Sequence, residues 1–295
     1  MTSEEKGIYW RKYARQNAKY ERNGVVVFRR TIADLVLPVA LHAEKYGAQS
    51  ALDSLDSLVK RQTIERSFIE FYLYVGYTHK QWTDQDLRIR IERKKRGAPP
   101  VAPSLVAVDP ADAGFGAGFF NAPWLQRLKR LVYSLQAAKR VTSISNTIKK
   151  KLRGVLGRVI KEEVRPSVMA ARITSEMGGK FSEARARLIA RTESTFIANV
   201  AAKESAMETM ALGIELVKVW IDTRDSRVRD THWNIPDPID FYEKFKIGDK
   251  LMDKPGDPDG GAEECCNCRC CVAYLPKDDY EDIFPKQPKL SDFQK

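Results

Sequence analysis

The hydrophobic period of this chain changes once, at Gly213, and the change sets the fold class. Up to that glycine, apolar residues recur near the 3.6-residue spacing of amphipathic helices. Beyond it, LVKVWIDTRDSRVR shows β-branched alternation running into a turn, and the rest is short strand-like runs separated by Pro and Gly. The sequence therefore predicts an α+β protein: mainly helical N-terminal and middle regions, and a small mixed α/β C-terminal domain. One stretch breaks the helical part. GAPPVAPSLVAVDPADAGFGAGFFNAP (97–123) is dominated by Gly, Ala and Pro, and no helix runs through its prolines. It reads as a linker or arm (98–123) between a helical N-terminal domain (1–97) and a second domain (124–277), with a polar tail at 278–295.

Within the first 97 residues, Tyr9, Tyr13 and Tyr20 fall at helical spacing among Arg and Lys. Thr31, three residues before Asp34, predicts a helix N-cap close to a capping box, and Pro38 predicts a kink or restart. Leu52, Leu55, Leu58 and Val59 make an apolar stripe. The aromatics Phe68, Phe71, Tyr72, Tyr74, Tyr77 and Trp82 suit a helical core first and a protein-docking face second.

Charge is the sharpest physical signal in the middle. Between Ala113 and Lys161 stand eleven Lys and Arg and no Asp or Glu. They are Arg127, Lys129, Arg130, Lys139, Arg140, Lys149, Lys150, Lys151, Arg153, Arg158 and Lys161. A solvated helix face normally mixes signs to gain i,i+4 pairs. A one-sign field repels itself, and phosphate contact offsets that through counterion release. Leu125, Leu128, Leu131, Val132 and Leu135 keep an apolar stripe beneath the charges, which excludes a simple basic tail. The first ten of these basic residues are candidate DNA contacts, and nothing near them reads bases, so such contact is non-specific. A basic face meeting an acidic protein surface is the plainer reading. The net charge of +11 fits either.

Further along, Ser167 can cap a helix that Gly178-Gly179 ends, and Ser182 can open the next. No run approaches the ~18–20 apolar residues of a membrane span, and the N-terminus lacks an apolar signal core. All five cysteines crowd into Cys265–Cys271, unlike the dispersed cysteines of a disulfide-stapled secreted domain, so a cytoplasmic origin is expected.

Cys268 and Cys270 lie two apart, so on a strand both face one side, and Cys266 falls on that side too. With His232 these cysteines make a candidate zinc set, although C-x-C is not the usual zinc spacing; reduced thiols packed in a small core are the plainer reading. No other cofactor is expected. Asp225, Arg227, Arg229 and His232 follow the strand as a polar knot, read first as loop fixation. Pro255-Gly256-Asp257-Pro258 reads as a tight turn. On the helix before the strand, Arg191 and Glu193 point to different faces, and each is expected to pair with the strand region.

In chain order, RLIARTE (Arg187–Glu193), Asn199, Ala201, VKVWIDTRDSRVRDTHW (Val217–Trp233), PGDP (Pro255–Pro258) and NCRC (Asn267–Cys270) resemble the Mu F-like phage head morphogenesis family, the minor head proteins. The resemblance covers roughly 141–275. It is carried by Arg191, Thr192, Glu193, Trp220, Asp225, Arg227, Arg229, His232, Pro255, Gly256, Asp257, Asn267, Cys268, Arg269 and Cys270. One departure is the flanking of NCRC as CCNCRCC, which adds thiols at Cys265, Cys266 and Cys271. The resemblance implies a structural protein of a tailed phage rather than an enzyme, with no catalytic residue assigned. It would bind the portal, enter the procapsid in few copies and act in packaging or delivery of double-stranded DNA. Major capsid or scaffold protein would be further partners, and membranes would not. The expected location is the capsid interior near the portal, and the host cytoplasm during assembly. The competing reading is a metal-dependent nuclease, or another DNA-acting enzyme, using Asp225, His232 and the cysteines.

Overall fold

The computed structural model describes residues 1–96, 123–132, 135–233, 235–280 and 283. The predicted arm (98–123), apart from Pro123, and most of the predicted tail (281–282 and 284–295) lie outside the described residues. So do the side chains of Leu125, Leu128, Lys129, Leu131, Val132 and Leu135.

Among the described residues, eight helices precede the first strand: α1 (Ser3–Tyr46), α2 (Ala48–Asp53), α3 (Leu55–Leu58), α4 (Arg61–Lys95), α5 (Pro123–Val132), α6 (Leu135–Lys161), α7 (Pro166–Met177) and α8 (Gly179–Ala211). Then follow β1 (Leu216–Ile221), β2 (Ile239–Asp240), β3 (Phe245–Ile247), β4 (Lys250–Met252), α9 (Gly261–Cys265) and β5 (Cys271–Pro276). This is the α+β, mainly helical class expected from the change of period. Among the described residues no helix is long and apolar enough to cross a membrane.

The chain divides into two compact units, each taken over its described residues. One holds Met1–Gln16, Tyr77–Ala113 and Thr195–Lys295; the other holds Asn17–Gly76 and Gly114–Ser194. Residues 1–97 are thus shared between both units.

The all-helical unit is built on aromatic packing. Phe28 of α1 meets Phe68 and Phe71 of α4 edge-on, with ring centroids 5.6 and 5.3 Å apart. Gly24 is where α1 passes closest: a Cβ there would stand 2.8 Å from both Phe71 and Ala190. The aromatics of α4 therefore serve as core. Along α6, Val141, Ile144, Ile148, Leu152, Val155, Leu156 and Val159 are buried at helical spacing, and the helix packs on α2 and α7.

Several sequence expectations are corrected here. Thr31 is not a cap; it is buried inside α1, where its hydroxyl donates to the Val27 carbonyl at 2.8 Å and lies 2.6 Å from Ser67 Oγ. A threonine can satisfy itself on the carbonyl four residues back without ending a helix. Pro38 neither stops nor restarts α1. Pro38 and Asp34 are both on its exposed side, so water can reach the carbonyl that the missing N–H leaves free. Ser167 does not cap α7, because Pro166 takes the first turn and Arg165 the cap position. Helix α8 opens at Gly179 rather than Ser182.

Arg191 and Glu193 find helices, not strands. Arg191 pairs with Glu21 of α1 at 3.2 Å. Glu193, 5% exposed, takes the Arg140 guanidinium of α6 at 2.9 Å and accepts from the Tyr72 hydroxyl of α4. Burial first, and the Glu193 charge second, push the Tyr72 phenol up.

In the mixed unit, β1 is the middle strand of an antiparallel sheet ordered β2–β1–β5, with Leu216 opposite Pro276 and Ile221 opposite Cys271. A β3–β4 hairpin stands apart from it. The core joins Trp220, Phe241, Phe245, Met252, Val272 and Tyr274 to Leu87 of α4 and to Ala202 and Ala206 of α8. His79 of α4 is buried between Tyr13, at 5.7 Å, and Trp82, stacked at 5.0 Å. Burial lowers its pKa to about 3.

Two outcomes follow from these buried polar groups. Glu193→Gln leaves Arg140 without its countercharge and should cost roughly 2–4 kcal/mol, a little under the buried-pair range because Arg140 keeps some exposure. Urea unfolding of the single and double variants checks this: adding Arg140→Leu to Glu193→Gln should cost less than the sum of the two single changes. His79 stays neutral in the folded state while the unfolded imidazole protonates below about pH 6.5. Its contribution is therefore present above pH 6.5 and is lost on acidification toward 3. Between pH 7 and 5 the chain should lose about 2 kcal/mol through this group. In His79→Gln that slope should flatten; an unchanged slope would refute the assignment.

Candidate functional site

Two groups stand out, one in each unit. The first is the solvent side of α6. Lys139, Lys150 and Arg153 are exposed, and their spacings of eleven and three residues keep them near one face. Arg130 of α5 is exposed as well. Other basic residues of this run are used internally. Arg140 is taken by Glu193. Lys149 reaches Asp56 of α3 at 2.7 Å, with Arg153 at 3.7 Å from the same carboxylate. Arg158 pairs with Glu176 of α7, whose carboxyl it holds below its usual range. The Lys151 ammonium sits over the Phe181 ring, 5.6 Å from its centroid. Arg127 is half-buried. The acids missing from α6 thus come from α3, α7 and α8.

The second group is the cysteine segment of the mixed unit, where three kinds of contact converge. The first comes from α8, whose Thr195 hydroxyl donates to the Cys268 carbonyl at 2.7 Å. One turn on, Asn199 donates to the Cys270 carbonyl at 3.4 Å and accepts from the Val272 amide at 2.8 Å. The N-terminal residues supply another, Trp10 donating to the Arg269 carbonyl at 3.3 Å.

The remaining contacts come from the loop after β1. Asp225 accepts both arms of the Arg269 guanidinium, at 2.6 and 2.9 Å, together with Thr223 Oγ1 and the Arg227 amide. These bonds, the Arg269 pair foremost, hold its carboxyl well below the usual carboxylate range. Arg229 donates to the Cys266 carbonyl. Thr231 donates to Glu264 at 2.8 Å. Asp222 accepts the Arg224 amide at 2.8 Å in a turn where Arg224 has φ +54°.

At the centre, His232, Cys268 and Cys270 are buried together with donor atoms within 4.8 Å of one another. His232 Nδ1 is 3.7 Å from Cys268 Sγ and 3.5 Å from Cys270 Sγ. Its Nε2 lies 2.9 Å from a Glu264 carboxylate oxygen, off the line of a good hydrogen bond. Trp220 meets the imidazole edge-on at 5.2 Å. A hydrogen bond from the Cys270 thiol, ahead of the burial that opposes it, holds the Cys268 thiol low.

Cys266 does not join this set. It is exposed, and Asn267 at φ +58° turns the chain, so the segment is not the continuous strand that would align Cys266 with Cys268. Asp225 is also outside the group. Cys265 and Cys271 are buried, Cys265 donating to the Asp257 carbonyl at 2.8 Å.

The PGDP turn packs closely. A Cβ on Gly256, which has φ +80°, would meet the Phe196 Cα at 3.0 Å. Asp257 accepts the Asp253 amide at 2.8 Å and the Asp259 amide at 3.2 Å. This turn aims Asp253, a residue that sequence reasoning missed, at Lys218 in the middle of β1 (2.7 Å) and at Lys203 of α8 (2.7 Å). Burial pushes the Asp253 carboxyl up, but Lys254, Lys203 and Lys218 together outweigh it and hold it low. Glu264 was missed as well: it lies 32 residues from its histidine, and no local pattern marks it.

Comparison with known proteins closes the site. No curated protein and no solved structure matches the chain. The family model described as Phage Mu protein F like protein matches residues 129–273, from the end of α5 into β5. Over that stretch, just under half of the chain, which holds every motif residue described above, the chain is similar to the Mu F-like family of phage head morphogenesis proteins.

Proposed function

We propose that the chain works as a minor head protein inside the capsid of a tailed phage, bound to the portal and touching packaged DNA. The observation that carries this reading is the family match over 129–273. The exposed basic residues of α5 and α6 support the DNA part. Arg130, Lys139, Lys150 and Arg153 present charge to solvent without any group suited to reading base edges, so the contact is with phosphates and independent of sequence. The role is structural: the loop after β1, whose polar residues a nuclease would need free, spends them on the cysteine segment, and Asp225 is held by Arg269.

The test is capture by the cognate portal protein together with a DNA-shift titration in rising salt. Portal capture is expected without DNA, as is the presence of the chain in purified virions. Lys139→Ala/Lys150→Ala/Arg153→Ala should weaken binding equally on unrelated duplexes. It should also flatten the dependence of log K on log salt by roughly 0.9 for each phosphate no longer neutralised. Absence from virions, or no capture by portal, would overturn the head assignment. An unchanged salt slope would remove the DNA role alone.

A further inference from the structure

We propose that His232 Nδ1, Cys268 Sγ and Cys270 Sγ bind one zinc ion, which fastens the loop after β1 to the segment leading into β5. Zn–S bonds of ~2.3 Å and Zn–N bonds of ~2.0–2.1 Å at tetrahedral angles put sulfur and nitrogen about 3.5–3.6 Å apart. The two distances here are 3.5 and 3.7 Å. All three side chains are buried, so the ligands are already desolvated and fixed by packing. The imidazole is oriented as a zinc ligand needs: Nδ1 faces the thiols, while Nε2 faces the Glu264 carboxylate at 2.9 Å. A carboxylate commonly stands behind a ligating histidine; here Glu264, itself held by Thr231, faces Nε2 without a well-aligned hydrogen bond.

The C-x-C spacing, unusual for zinc, works because the ligand pair is completed from the loop and not from the same run. Among the described residues no further side chain joins the group; Cys266 is exposed and Cys265 is turned to the Asp257 carbonyl. The fourth position therefore falls to a group outside these described side chains, a water molecule being the simplest.

The test uses the full chain, purified under reducing conditions with zinc present. One zinc per chain is expected, released when a mercurial titrates the thiols. Replacement by cobalt should give an ultraviolet thiolate-to-cobalt charge-transfer band, a readout that needs no variant. Cys268→Ser and Cys270→Ser should each reduce zinc to background, and Cys266→Ser should keep it. A chain with no mercurial-released zinc and no charge-transfer band, its thiols free or joined as a Cys268–Cys270 disulfide, would overturn the site. Loss of zinc in Cys266→Ser would overturn the three-ligand assignment.

Discussion

Every residue of β1 is buried, and a three-stranded sheet with one two-residue edge strand cannot cover both of its own faces. The mixed unit is therefore organised around supplying that cover. Apolar cover comes from Leu87, Ala202 and Ala206, and from the β3–β4 hairpin through Phe245, Ile247 and Met252. Burial on both sides also explains why the strand reads so apolar. Its one charged residue, Lys218, is fully buried, and burial lowers its pKa. An ammonium there is tolerable only with a countercharge. Asp253 supplies it, so the turn that aims Asp253 is a requirement of the strand, and the close passage of Gly256 against Phe196 is part of the same constraint.

Much of this is legible in the amino-acid sequence. The class follows from the period change at Gly213, which ends a helical turn at φ +83°. Strands β1 and β5 fall where the β-branched runs stand. The illegible parts share one physical cause: a partner distant in sequence. Thr31 looks like a cap because a cap and a back-bonded mid-helix threonine have the same local sequence; only Ser67, 36 residues away, distinguishes them. Arg140 looks like a surface cation because its acid, Glu193, lies 53 residues on. The acid-free run of α6 overstated the free charge for the same reason, since Asp56 and Glu176 lie outside it.

The cysteine segment shows what the family motif is for. Residues 266–270 leave α9 and are not yet in β5, so their carbonyls have no ladder to join. Buried carbonyls without partners are costly. Here four of them meet side chains: Cys266 takes Arg229, Cys268 takes Thr195, Arg269 takes Trp10 and Cys270 takes Asn199. The match between helix and extended segment is geometric. Residues four apart on α8 are separated by about 6 Å of helical rise, and residues two apart on an extended chain by about 6.6 Å. Thr195 and Asn199 can therefore reach Cys268 and Cys270 in register, which a five-residue spacing would miss by rotating one side chain off the face. The Asn-Cys-Arg-Cys run needs that helix as much as it needs the loop. Arg269 points to Asp225 while the alternate residues, Cys268 and Cys270, point to His232. Alternation along four residues thus sends charge to one side and sulfur to the other, and both sides close on the same loop.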